Sequence, residues 1–109
     1  MTEWSSRRSP TIVKTEELFE SGPADTPVHP GEVLGEELEA RHMTHRELAL
    51  QMGRSAALVG AIVRGRRAVT AGTALDLGRA LGISARFWMN LQSSYELDVA
   101  RLKRERQTA

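Results

Sequence analysis

The chain has 109 residues, which is enough for one domain of usual size but not for two. It contains no cysteine, which excludes disulfides, thiolate metal sites and cysteine nucleophiles, and no apolar run approaches the ~18–20 residues that span a bilayer. The net charge of +1 is unevenly distributed, because residues 48–75 hold no acidic residue but do hold Arg54, Arg64, Arg66 and Arg67. Such a stretch is typical either of a local phosphate-binding surface or of an ordinary solvated patch.

Residues 1–28 are predicted to form a flexible tail. Residues 5–10 are polar and residues 21–27 are rich in turn-forming types, with room between them for a short strand at 11–14 and one helical turn at 16–20. The beginning of the chain lacks the apolar core of a secretory signal, so we expect a cytoplasmic protein. We expect the folded domain to occupy residues 29–109.

Two helices are predicted first. The first begins after Pro30 and covers about residues 31–41, with a narrow apolar face of Val33, Leu34 and Leu38. The second begins with a capping box, in which the Thr44 hydroxyl and the Glu47 carboxylate each bind the other's backbone N–H. It ends near Met52, where Gly53 offers the left-handed conformation that terminates helices.

Three further helices complete an all-α, five-helix prediction. Ser55 caps the third, which ends near Val63 with Leu58, Val59 and Ile62 facing inward. Thr70 caps the fourth, which ends at Gly82, and its predicted inner face is Ala71, Ala74, Leu75, Gly78 and Leu81. Ser84 caps a long last helix that extends to about Arg106, with an apolar stripe of Trp88, Leu91, Tyr95, Val99 and Leu102.

The second and third predicted helices are short and close together in the chain, as in a helix-turn-helix unit. Small Ala49 lies one turn before Gly53 and allows the two helices to cross closely. In such a unit the second helix enters the major groove and the first crosses the phosphate backbone. The same spacing also fits an ordinary helical hairpin in a small bundle, and spacing alone does not separate the two.

A family resemblance favours the first of these interpretations. Residues 44–67 resemble the lambda-repressor-like, XRE-type helix-turn-helix, through Thr44, Leu48, Ala49, Gly53, Ser55, Ile62 and the exit Gly65, Arg66 and Arg67. Two flanking motifs resemble the HigA branch of antitoxins: His29-Pro30-Gly31-Glu32 and Phe87-Trp88-Met89-Asn90-Leu91-Gln92. The resemblance covers about residues 28–102.

This resemblance implies a function and a set of contacts. A HigA-type antitoxin neutralises a HigB/RelE-like toxin that cuts mRNA on the ribosome, and it represses its own operon as a dimer on palindromic double-stranded operator DNA. Thr44 and His45 match the backbone-contacting start of the first helix of the unit. Ser55, Ala56, Ala57 and Gly60 match the base-reading positions of the second.

The base-reading positions depart from the family pattern, in which several are polar. Alanine can touch a thymine methyl but cannot form the bidentate hydrogen bonds that discriminate between bases by about 1–3 kcal/mol each. We therefore expect affinity to come mainly from phosphate contacts by the arginines. Specificity is expected from Ser55, backbone groups, methyl contacts and DNA shape. The arginines concerned are Arg54, Arg64, Arg66 and Arg67.

The stripe on the last helix either completes the core or forms an interface. Operator symmetry favours a two-fold dimer, so we predict a homodimer through Trp88, Leu91, Tyr95, Val99 and Leu102.

Three other functional readings stay open. The chain could be an XRE-type transcription factor without a toxin, or a protein-only toxin inhibitor whose DNA binding is weak. An enzyme is the least favoured, because no catalytic cluster is visible. No metal site or cofactor is expected, because His42 and His45 have no companion ligands at zinc spacing, and His29 is expected to cap or pack.

Overall fold

The computed structural model describes residues 26–108, and this part of the chain contains five helices and no strand. In chain order they are α1 (Pro30–Ala40), α2 (His45–Met52), α3 (Ala56–Val63), α4 (Ala71–Leu81) and α5 (Ala85–Thr108). The all-α prediction is therefore confirmed, and each predicted boundary lies within about two residues of the observed one. The predicted tail lies outside the described residues except for its last three. None of the five helices is long and apolar enough to cross a membrane.

Local side-chain caps explain where the helices begin. Thr44 Oγ1 accepts from the Glu47 backbone N–H at 3.0 Å and Glu47 Oε1 accepts from the Thr44 N–H at 2.8 Å, which confirms the capping box. Ser55, Thr70 and Ser84 cap the next three helices in the same hydroxyl-to-N–H manner. These bonds satisfy N–H groups that have no partner within the helix.

The core forms where the five helices meet, and its members are buried aliphatic side chains around one indole. They are Leu34, Leu38, Leu48, Ala49, Met52, Val59, Ile62, Val69, Ala74, Leu77, Leu81 and Trp88. Val69 lies in the loop between α3 and α4, and its N–H donates to the buried Gln92 Oε1 at 2.9 Å. This bond fixes the loop against α5, because a buried N–H without a partner is costly.

The predicted inner face of α4 is correct for Ala74 and Leu81, which are buried, and wrong for two other members. Leu75 is 64% exposed, and Ala71 is exposed as well, whereas Thr73 and Leu77 are buried. Two stripes on this helix satisfy helical spacing, and both contain Ala74 and Leu81. The stripe that contains Thr73 and Leu77 is the one that packs on the rest of the bundle.

The N-terminus of α1 packs directly against the C-terminus of α3. A Cβ built on Gly31 would lie 1.8 Å from the Ile62 carbonyl oxygen and 2.9 Å from that of Val63, so no side chain fits there. His29 caps α1, because its Nδ1 accepts a hydrogen bond from the Gly31 N–H at 2.8 Å. Its ring packs edge-on against the Tyr95 ring, with the two ring centroids 4.9 Å apart. The expectation that His29 caps or packs is confirmed.

Burial lowers the pKa of His29, against smaller raising effects from the charge of Glu32 and a hydrogen bond with the Arg67 backbone. The neutral imidazole is thus the form that the fold favours. The buried imidazole of His29 therefore contacts three elements: the start of α1 through Gly31, the loop after α3 through the Arg67 backbone, and the middle of α5 through Tyr95.

Candidate nucleic-acid interface

The α2–α3 pair has the geometry of a helix-turn-helix unit. Gly53 adopts φ +71° at the end of α2, and Ser55 caps α3 two residues later. Ala49 is buried where the two helices pack, and Leu48, Val59 and Ile62 anchor them to the core. With its inner side held in this way, α3 can present only its opposite side to a ligand.

The exposed beginning of α3 consists of Ser55, Ala56 and Ala57. Ser55 Oγ already accepts from the Leu58 N–H at 3.1 Å, but its hydroxyl hydrogen is available to donate. The two alanines present methyl groups and leave the backbone accessible. This surface is small and nearly apolar, so it suits close approach to another surface and carries little hydrogen-bonding capacity of its own.

The position of Gly60 differs from the expectation for this surface. It was predicted to lie on the outer face, but it is buried. A Cβ built there would lie 3.2 Å from both terminal nitrogens of Arg64, so the guanidinium of that arginine folds back over the helix and covers the glycine. Gly60 is thus accessible only when Arg64 moves, and the cation occupies the position assigned to a base-reading residue.

Two arginines extend from the loop that follows α3. Arg66 and Arg67 are exposed, and within residues 26–108 their guanidinium groups form no ion pair. Gly65 precedes them with φ +77°, a conformation that favours glycine and turns the chain away from α3. Charged donors at an exposed turn are well placed to bind phosphate oxygens.

Arg54 is less free than the sequence suggests. Its Nε donates to Asp76 Oδ2 at 2.7 Å, and Asp76 Oδ1 accepts from Arg79 at 3.1 Å. These two hydrogen bonds, with the Arg54 bond the stronger influence, hold the pKa of Asp76 below its ordinary value. The α2–α3 turn is therefore tied to α4 by an ion-pair network, and part of the Arg54 charge is neutralised. Sequence reasoning did not identify Asp76, because nothing in the local pattern pairs it with a residue 22 positions away.

The start of α2 places the other two predicted contact residues next to one another. Thr44 is exposed and fully engaged in the capping box, and His45 is half-buried. Both stand at the N-terminus of the helix, where unpaired N–H groups and the helix dipole favour an anion.

The predicted dimer stripe divides into two parts. Trp88 is 0% exposed at the centre of the core and Leu91 packs against it, so Trp88 presents no surface to a second copy and that prediction is wrong. The reason is that the indole belongs to the core cluster to which the other helices of the same chain contribute. Tyr95 is half-buried against His29, whereas Val99 is 39% exposed and Leu102 is partly exposed. Val99 is the most accessible residue of this stripe, and Tyr95 and Leu102 beside it keep part of their surface accessible.

The comparisons agree with this geometry. The Helix-turn-helix family profile (HTH_3) matches residues 34–88. "Virulence-associated protein I" of Dichelobacter nodosus is 40% identical over 74 residues, which cover 67% of this chain and 68% of the relative. The antitoxin HigA of Pseudomonas aeruginosa, solved with the higBA promoter, is 42% identical with a TM-score of 0.70, over 75% of this chain and 90% of that one. A HigA-family addiction module antidote protein from Coxiella burnetii is 38% identical with a TM-score of 0.71 and the same coverage.

The chain therefore belongs to the helix-turn-helix family, and its domain is XRE-like. Within that family its structural relatives include HigA antitoxins. This is a group of DNA-binding antitoxins and regulators and not an enzyme class. The hairpin interpretation of α2 and α3 is accordingly set aside.

Proposed function

We propose that this protein is a HigA-type antitoxin that represses its own operon by binding operator DNA as a dimer and neutralises a RelE-like toxin in the cytoplasm. The observation that carries the DNA-binding part is the exposed start of α3, flanked by Arg66 and Arg67 without ion-pair partners among residues 26–108. The relative from Pseudomonas aeruginosa was solved with promoter DNA, which supports binding of promoter DNA by this chain.

In the proposed complex α3 lies in the major groove with Ser55, Ala56 and Ala57 toward the bases. The small side chains let the helix backbone approach closely, and the methyl groups contact thymine methyls. Arg64, Arg66 and Arg67 bind phosphates on either side, and the N-terminus of α2 at Thr44 and His45 receives a phosphate of the neighbouring strand. Gly60 contributes only through the backbone, and Arg54 adds charge that Asp76 reduces.

Such an interface derives its affinity mainly from phosphates, and this makes a quantitative prediction. The logarithm of the binding constant falls linearly with the logarithm of the salt concentration, and each lost phosphate contact makes this negative slope shallower by about 0.9. Because each of the two protomers of the proposed dimer loses two contacts, Arg66→Ala/Arg67→Ala is expected to reduce the magnitude of that slope by about 3.6 on the promoter of its own operon and on unrelated duplexes alike. Arg86→Ala is the matched control, because Arg86 is an exposed arginine at the start of α5, outside the helix-turn-helix unit.

The measurement is fluorescence anisotropy with labelled duplexes over a series of salt concentrations. An unchanged slope in the double variant, or an equal change in the Arg86→Ala control, would show that these arginines do not face the DNA. A chain that binds no duplex at any salt concentration would favour the second candidate, a toxin inhibitor without DNA binding. The nearly apolar face of α3 is the observation that favours that candidate.

Toxin neutralisation is tested separately, by co-expression with the neighbouring gene. Rescue of growth by the wild-type chain and by Arg66→Ala/Arg67→Ala would place toxin binding away from the DNA surface. Failure of the wild-type chain to rescue growth, or to co-purify with the product of that gene, would leave an XRE-type regulator without a toxin.

A further inference from the structure

A concave surface lies where the first described residues meet the C-terminal half of α5. It is an open groove of about 240 Å³, which we call the tail groove, lined by Thr26, Pro27, Tyr95, Val99, Leu102 and Arg106. Its floor is the apolar stripe of α5 that remains accessible in the folded chain. Its wall is the first described stretch of backbone, so the preceding residues leave the described part of the chain directly beside the groove.

The charges on the two sides of this junction are opposite. Residues 101–107 of α5 carry four basic residues against the single acid Glu105, and although Arg101 pairs with Asp98 one turn earlier, the end of the helix remains net positive through Lys103, Arg104 and Arg106. Residues 15–25, which lead up to the groove, carry Glu16, Glu17, Glu20 and Asp25 and no basic residue. Complementary potentials of this kind favour one partner and one orientation.

The same segment also carries apolar side chains of suitable size. Leu18 and Phe19 stand between its acidic residues. From Phe19 to Thr26 an extended chain spans at most about 25 Å, whereas seven residues of α5, from Tyr95 to Leu102, rise only about 10 Å. The connection is therefore long enough for Phe19 to reach any part of the tail groove in the same chain.

We propose that residues 15–25 dock in the tail groove of their own chain, with Leu18 and Phe19 against Val99 and Leu102 and the acidic residues toward the basic end of α5. The docked segment covers the surface that the proposed homodimer uses. Docking and dimerisation through this face therefore exclude each other, and the segment regulates the monomer–dimer equilibrium. Only this consequence rests on the proposed function; the docking itself does not.

The absence of cysteine from the sequence allows a clean test in the full-length chain. Phe19→Cys/Val99→Cys is compared with Phe19→Cys/Leu97→Cys, because Leu97 is 64% exposed, two residues away on α5, and does not line the groove. A disulfide requires Cα atoms about 4.4–6.8 Å apart. The disulfide equilibrium is measured in a glutathione buffer at low micromolar protein. The effective concentration of one thiol at the other within a chain is expected to be at least tenfold higher for Phe19→Cys/Val99→Cys than for Phe19→Cys/Leu97→Cys. Equal closure in both pairs, or a disulfide of the first pair only between two chains, would overturn the docking.

The competition is tested by sedimentation equilibrium of Leu18→Ser/Phe19→Ser against wild type. The variant is expected to form dimers at a concentration at least several-fold lower, while Thr11→Ser/Ile12→Ser, which lies outside the proposed docking segment in the sequence, behaves as wild type. An unchanged or weakened dimer in the Leu18→Ser/Phe19→Ser variant would refute the regulatory role, even where the disulfide test supports docking. The electrostatic contribution is tested by charge reversal, Glu16→Lys/Glu17→Lys/Glu20→Lys, in the Phe19→Cys/Val99→Cys chain. The effective concentration of the two thiols is expected to fall. An unchanged effective concentration would contradict the electrostatic contribution.

Discussion

The contact between α1 and α3 depends on the absence of a side chain at Gly31. In Gly31→Ala, the new Cβ would lie 1.8 Å from the Ile62 carbonyl oxygen, 2.8 Å from the Ile62 carbonyl carbon and 2.9 Å from the Val63 carbonyl oxygen. All three atoms belong to backbone at the end of a buried helix, so no rotamer change relieves the overlap. The two helices must separate by more than 1 Å, which moves the end of α3 that precedes Arg66 and Arg67.

The expected magnitude combines two opposing terms. Alanine is favoured over glycine inside a helix by about 0.5–1 kcal/mol, and overpacking in a close-packed core costs about 1–3 kcal/mol and sometimes more. Because the overlap is against backbone, we place Gly31→Ala at a net loss of about 2–3 kcal/mol in the free energy of unfolding. Gly35→Ala is the matched control in the same helix, because its Cβ would lie 3.4 Å from Val63 Cγ1, a normal contact.

The assay is urea denaturation followed by circular dichroism, with binding to promoter DNA measured in parallel. Gly35→Ala is expected to be as stable as wild type or more stable, by up to about 1 kcal/mol. Gly31→Ala is expected to lose stability and DNA affinity together. A Gly31→Ala variant that unfolds at the wild-type urea concentration would refute the claimed backbone contact and, with it, the way in which α3 is positioned.

Three further predictions concern the caps and the buried polar groups. Thr44→Ala removes the capping box and should cost about 1 kcal/mol of stability, whereas Thr44→Ser should restore most of it; equal urea midpoints for the two variants would exclude the cap. Burial lowers the pKa of His29 from its ordinary 6.5, so its contribution is complete above that pH and is lost as the pH falls through the lower pKa of the folded state. His29→Asn should therefore flatten the loss of stability between pH 7.5 and 5.5, and an unchanged slope would assign that loss to other groups. Gln92→Leu removes the acceptor of the buried Val69 N–H and should cost about 1–3 kcal/mol, with amide exchange at Val69 accelerated; continued protection of that amide would show that Gln92 does not hold the loop.

The helix boundaries were predictable because their causes are local in sequence. The Thr44–Glu47 capping box, the serine and threonine caps and the left-handed glycines involve neighbours within three or four residues, and all are present in the structure. The start of α3 at Ser55 followed from the same signals. A resemblance through short motifs then assigned the correct family before any three-dimensional comparison.

The features that the sequence did not predict depend on contacts between residues or helices that local sequence patterns do not specify. Two stripes of α4 fit helical spacing equally well, and only the packing of neighbouring helices selects Leu77 over Leu75. Trp88 looked like part of an interface because its stripe continues to Leu102, whereas the other helices enclose it. Gly60 was placed on the outer face because a one-dimensional pattern cannot show that the long side chain of Arg64 folds back over it.

The most direct test of the central claim is to locate the start of α3 on the DNA. Ala57→Cys, in a chain with no other cysteine, is labelled with iron–EDTA and bound to the promoter of its own operon, with Leu97→Cys on α5 as the control. The account predicts strand cleavage confined to the major groove at two sites related by the two-fold axis of the operator, and no such cleavage from Leu97→Cys. Cleavage that is absent, spread along the duplex, or the same for both labels would contradict the placement of α3 in the groove.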